Sequence, residues 1–165
     1  MTKILVAGIG NIFLSDDGFG VEVVRRLAGK DVPDGVKVAD FGIRGIHLAY
    51  ELLEGYEKLI LVDALSRGDP PGTIYTLEPD DVAASGAIPD AHGMEPMAVF
   101  AYLASIGGSP VPTVILGCEP ETLDEDIGLS PTVERAVDQA VSVALELIHD
   151  AVKASTTNSP ATAGQ

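Results

Sequence analysis

Lys58-Leu59-Ile60-Leu61-Val62-Asp63 sets four apolar residues in a row between a lysine and a carboxylate. An uninterrupted apolar run of that length is the pattern of a strand buried on both faces of a parallel sheet, since a half-exposed strand would alternate. Ile4-Leu5-Val6-Ala7-Gly8 reads the same way, and so does the stretch from Pro112 to Cys118. Two weaker strands follow turn signals, 36–40 after Pro33-Asp34-Gly35 and 73–77 after Pro70-Pro71-Gly72.

Helical patterns lie between them. Residues 19–27 place Val21, Val24 and Leu27 on one face, with Arg25 and Arg26 at the end where cations complement the helix dipole. Residues 46–53 form the next helix, with Gly55 just past its end. Pro96 opens another that runs to about residue 106 and stops at Gly107-Gly108. Ser130-Pro131-Thr132-Val133-Glu134 has a cap serine, a proline at the first helical position and an acid in the first turn, so it starts a last helix reaching roughly Val152. Residues 78–95 read as one long polar loop, and loops of that length are usually functional or mobile. The alternation predicts a three-layer α/β/α sandwich: a mostly parallel, twisted five-stranded sheet with helices on both faces. A single domain is expected over 1–153 and a disordered tail over 154–165.

The chain has 165 residues and 25 acids against 10 lysines and arginines, a formal charge of −15. Such a field repels phosphate backbones and anionic lipid, which argues against nucleic acid or membrane as the main partner and for a cation or a basic polypeptide. One cysteine, Cys118, allows neither a disulfide framework nor an all-thiolate metal site, and its apolar setting makes it a core residue. The first strand lies too near the start, without a basic leader, for a signal peptide. No run of about eighteen apolar residues offers a membrane span. A cytoplasmic monomer is expected.

In an open α/β sheet, ligands bind beyond the carboxyl ends of the strands. Those ends are acidic here: Asp16-Asp17 follow the first strand, Asp40 ends the second and Asp63 the third. Like charges at one rim repel, and a cation or a bound proton relieves the cost. An imidazole would complete an oxygen–nitrogen donor set suited to nickel, zinc or manganese. His92, in the long loop just ahead of a helix, is placed to present one; His47 and His149 sit in helices as packing or surface residues. Plainer roles stay open for each acid. Asp17 before Gly18 suits a helix cap, Asp63 a loop brace, and Asp40 an acceptor for amides at Gly42 and Gly45. Asp16 is expected to be the solvated member of its pair.

Competing chemistries fail on detail. Gly8-Ile9-Gly10 begins like a dinucleotide fingerprint, but the third glycine would fall at Phe13, and Asp16 and Asp17 would face a pyrophosphate. No phosphate-loop lysine motif and no serine nucleophile elbow occurs; Gly107-Gly108-Ser109 follows a helix, not a strand.

Gly8-Ile9-Gly10-Asn11-Ile12-Phe13-Leu14-Ser15-Asp16-Asp17-Gly18-Phe19-Gly20-Val21 resembles the N-terminal signature of hydrogenase maturation proteases. These endopeptidases trim the C-terminal extension from the large subunit of nickel–iron hydrogenases. The resemblance continues through Asp40-Phe41-Gly42, Val62-Asp63-Ala64, His92-Gly93-Met94, Gly117-Cys118-Glu119-Pro120 and Gly128-Leu129-Ser130-Pro131, covering nearly all the chain ahead of the tail. It implies a twisted sheet of about five strands and places the family's metal-binding and catalytic residues on Asp17, Asp63 and His92, with Asp40 and Asp16 in support. Some members carry glutamate at the Asp17 position, one methylene longer. The implied partner is a large-subunit precursor already carrying nickel, and the implied metal is that nickel, with zinc or cadmium able to substitute in vitro. The activity implied is that of a peptidase often classed as aspartic-type. Two other roles remain open: a non-catalytic nickel-sensing maturation chaperone, and a peptidase acting on another protein, as in spore-germination proteases of similar fold. Arg44 reads equally as a substrate contact or a structural arginine.

Overall fold

The apolar runs become the middle of one sheet. The computed structural model describes residues 3–84 and 96–158. Its elements are β1 (Ile4–Ile9), a 3-10 turn (Ser15–Gly18), α1 (Phe19–Leu27), β2 (Val36–Gly42), α2 (Gly45–Leu52), β3 (Lys58–Ala64), β4 (Ile74–Leu77), α3 (Pro79–Ala84), α4 (Pro96–Ser105), β5 (Thr113–Cys118) and α5 (Pro131–Asn158). The strand order is β2-β1-β3-β5-β4. The first four of these run parallel, and β4 pairs antiparallel with β5 at the edge.

Helices cover both faces, so the two-residue period of each strand divides between two cores. Ile4, Val6, Ile60, Val62 and Leu116 face α1 and α5. Leu5, Ala7, Leu59, Leu61 and Ile115 face α2 and α4. Every one of these ten is fully buried, which is why the runs lack polar residues. Arg26 of α1 ties the first helical layer together by reaching Asp138 of α5 at 3.1 Å.

α1 lies unusually close to the sheet, and Gly20 is the reason. A methyl group on Gly20 would collide with the Val62 carbonyl oxygen of β3 and lie 2.6 Å from that of Ile9 in β1. The helix therefore seats its first turn on the β1/β3 seam. Gly20→Ala is expected to cost about 1–3 kcal/mol by overpacking, although alanine is the better helix former. Chemical denaturation measures this directly; an alanine variant as stable as the parent would mean that the seam has room to spare.

The structure departs from expectation in two elements. The polar stretch that begins at Glu78 opens with a helix, α3. Asp81 accepts from the Glu78 amide at 3.1 Å while Pro79 takes the first helical position, so the cap is built from residues whose spacing was readable. α5 continues to Asn158, five residues beyond the expected end of the domain at residue 153. No proline or glycine interrupts residues 153–158, and the Ser155 hydroxyl donates to Glu57 at 2.6 Å, tethering the extension to the body. The rest of the expected tail, and residues 85–95 of the long loop, lie outside the described residues. Among the described residues no helix is long and apolar enough to cross a membrane.

Candidate active site at the strand reversal

The chain leaves β1 for β2 on one side, then returns past β1 to lay down β3 on the other. Between the carboxyl ends of β1 and β3 the connections diverge to opposite faces, which leaves the crevice where such sheets hold ligands. Asp63 is delivered there as the sixth residue of β3, only 3% exposed. Asp17 arrives from the other side, in the 3-10 turn that joins β1 to α1 and packs against β3, and is 4% exposed.

Backbone geometry holds Asp17 in place. The Asn11 amide donates to its Oδ2 at 2.8 Å, a charge-assisted bond that fixes the carboxylate plane. Gly10 has φ 137° and sits so close to the Asp17 carbonyl that any side chain would collide with it. Its own amide donates to Gly42 at 2.9 Å, joining the ends of β1 and β2. Gly20 presses on Val62, the residue before Asp63, so the helix that follows Asp17 starts against β3 one residue short of Asp63. Buried carboxylates delivered to one strand reversal are relieved by a nearby cation or a bound proton.

Asp16 takes the opposite direction from the one expected. It is fully buried, not solvated. Oδ1 accepts from the Ser130 amide at 2.7 Å, and Oδ2 accepts from the Ser130 hydroxyl at 2.9 Å and the amides of Glu121 and Thr122 at 2.8 and 3.1 Å. The carboxylate thus clamps the 121–130 loop and the start of α5 beneath the turn. Ser130 still caps α5 as its sequence suggests, its hydroxyl accepting from the Val133 amide at 3.3 Å. Ser15, just before the pair, has φ 51°, a conformation costly for a residue with a side chain. Its amide and hydroxyl hold it there by donating to the Asp126 and Asp124 carbonyls at 3.0 and 2.7 Å.

Asp40 is exposed near the end of the mostly half-buried β2. Among the described residues no amide of Gly42 or Gly45 donates to its carboxylate, so the expected brace is absent. Arg44 closes that loop instead, donating to the Asp40 and Phe41 carbonyls at 3.0 and 3.3 Å. That accounts for Arg44 structurally. His47 and His149 are exposed on helices, as expected. Cys118 is fully buried, and burial pushes its thiol up to about 12, which suits a core residue and not a nucleophile. His92 lies outside the described residues. Among those described, no three histidine, cysteine, aspartate or glutamate side chains form a metal-binding group. Asp17 and Asp63 carry oxygen donors of the type that nickel, zinc or manganese sites use.

Glu119 escaped the sequence reading, although the strand-end rule finds it directly after β5. It is 6% exposed. Its Oε1 accepts from the Tyr75 hydroxyl at 2.6 Å and from the amides of Arg67 and Asp69 at 2.8 and 3.3 Å, pinning the loop that follows Asp63. Burial and that hydrogen bond hold the Tyr75 hydroxyl well above its ordinary pKa, so it stays a donor.

Fold and rim together define an α/β protein that gathers carboxylates at the carboxyl ends of its strands. Residues 21–147 match the hydrogenase maturation protease family. The chain is 36% identical over 147 residues to a putative hydrogenase maturation protease of Methanocaldococcus jannaschii, an alignment covering 86% of this chain and 94% of the relative. It is 33% identical over 152 residues to the hydrogenase 2 maturation protease of Escherichia coli, covering 90% and 92%. Its structure is similar to that of the hydrogenase maturating endopeptidase HybD from E. coli, with a TM-score of 0.79 and 32% identity over 90% of this chain and 93% of that one. The chain belongs to the hydrogenase maturation protease family and is a hydrolase acting on peptide bonds.

Proposed function

We propose that this peptidase removes the C-terminal extension of a nickel–iron hydrogenase large-subunit precursor after nickel has been inserted, and that Asp17 and Asp63, joined by His92, receive the nickel that the substrate carries. The observation that supports this most is the pair of buried carboxylates at the β1/β3 reversal, each delivered by a different element. A precursor that brings its own cation offsets the repulsion of the pair, so a nickel-free precursor binds less well. Recognition and readiness for cleavage are then one event. The substrate's nickel supplies positive charge for polarising the scissile carbonyl. A carboxylate of the pair acts as general base toward the attacking water, and Asn11 keeps Asp17 oriented for that task.

The test mixes the purified protein with its nickel-loaded large-subunit precursor and follows the precursor's mass. Loss of a C-terminal peptide, and no loss from nickel-free precursor, is the expected result. Nickel-dependent binding without any cleavage would overturn the reading and favour a chaperone role. Cleavage that ignores nickel would leave a peptidase but remove the metal-sensing site.

A further inference from the structure

One part of the rim is apolar where solvent touches it. Ile12 and Phe13, in the loop after β1, are 45% and 60% exposed, and Ile127 is 71% exposed. The two segments that carry them are zipped together. Leu14 and Asp126 form a parallel bridge, with the Asp126 amide donating to the Phe13 carbonyl and the Ser15 amide donating to the Asp126 carbonyl, both at 3.0 Å. Phe13 and Ile127 are therefore each one residue from the bridge. Beneath it, Asp16 anchors the second segment at Glu121, Thr122 and Ser130. Phe13 is also held from its own side, its amide donating to Asn11 Oδ1 at 2.9 Å. Large apolar side chains on a rigid, solvated ledge cost little ordering entropy when a partner covers them, and this is the property of interface anchors.

The ledge adjoins the candidate site through the backbone itself. Asn11, whose amide orients the Asp17 carboxylate, directly precedes Ile12 and Phe13. A partner covering Phe13 therefore lies two residues along the chain from the amide that holds Asp17. Charge limits what that can be. Asp124, Glu125 and Asp126 are exposed on the same ledge. Among the described residues no lysine or arginine forms an ion pair with them; the ion pairs formed are all on α1, α2, α5 and β2. An acidic ledge in a chain of charge −15 repels an acidic partner and steers a basic one.

We infer that the ledge formed by Ile12, Phe13 and Ile127, flanked by Asp124 and Glu125, is the docking surface for the substrate polypeptide, and that it takes a segment carrying apolar side chains next to basic ones. This rests on the proposed function and names how that substrate is held. The ledge adds affinity outside the carboxylate pair, so its loss shows in KM and leaves kcat in place.

The experiment compares precursor cleavage by the parent protein, by a Phe13→Ser/Ile127→Ser variant and by an Asp124→Asn/Glu125→Gln variant. Leu53→Ser, at the far end of α2, is the control for loss of an exposed apolar residue. The first variant is expected to raise KM about tenfold or more with kcat within about twofold. The second should raise KM at low salt and flatten its dependence on ionic strength. Leu53→Ser should match the parent. If the parent leaves the precursor intact, the proposed function falls and the ledge falls with it. If the parent cleaves and the first variant keeps the parent KM, the ledge alone is overturned. An unchanged salt dependence in the second variant overturns the basic character of the segment. Melting temperatures close to the parent's are expected for all, because every substituted side chain is exposed.

Discussion

Asp63→Asn is expected to lower cleavage of the hydrogenase large-subunit precursor by about 10²–10⁴-fold while costing the fold much less stability than a change at Asp16. Asparagine keeps the volume of the side chain at the end of β3 and removes a buried charge. A residue retained for the chemistry shows that combination of lost turnover and a modest stability change. Asp17→Asn should behave alike, with a small stability loss because the Asn11 amide then donates to a neutral oxygen. Cleavage rates by mass spectrometry and urea denaturation on the same samples give both readouts. Normal processing by both variants would show that the carboxylate pair is not the site.

Asp16→Ala is expected to do the reverse. Its carboxylate is fully buried and accepts four hydrogen bonds, three from backbone amides and one from the Ser130 hydroxyl. Alanine leaves those donors, the two at Ser130 buried, without an acceptor, and the loss should be about 3–5 kcal/mol of folding stability. Asp16→Asn should fall between, since the amide keeps one acceptor oxygen and turns two hydrogens toward existing donors. The denaturant midpoint measures both. Under conditions where each variant is still folded, Asp16→Asn should turn over precursor far better than Asp17→Asn. Adjacent aspartates with opposite signatures would separate a scaffold carboxylate from a working one; equal stability losses at the two positions would contradict that division.

The contrast within this pair marks where sequence reading reaches its limit. β1, β3 and β5 were legible because burial on both faces leaves uninterrupted apolar runs, a signal carried by each residue's immediate neighbours. The α5 start was legible for the same reason, its cap serine, proline and acid being consecutive. Asp63 was legible because a carboxylate after such a run lies at the rim whichever strand order forms. Asp16 was not, because its partners lie 105 to 114 residues away and no local pattern distinguishes it from Asp17. Glu119 was reachable by the rule that found Asp63, since it follows β5 directly, but its role in pinning the loop after β3 depends on Tyr75 and on strand pairing at the edge. α3 was hidden by its shortness, six residues with an acidic first turn inside a polar stretch.

The clamp between Asp16 and the start of α5 also sets a timetable for synthesis. β1, the turn and Asp17 are made before the loop and the serine that lock them in place, which follow more than a hundred residues later. Domains that emerge N-terminus first fold as their last required contacts appear. A nascent chain still lacking Ser130 holds the turn that carries Asp17 without its scaffold. The clamp closes only once Ser130 and the start of α5 have been made, so the fold finishes the turn long after its own residues are in place.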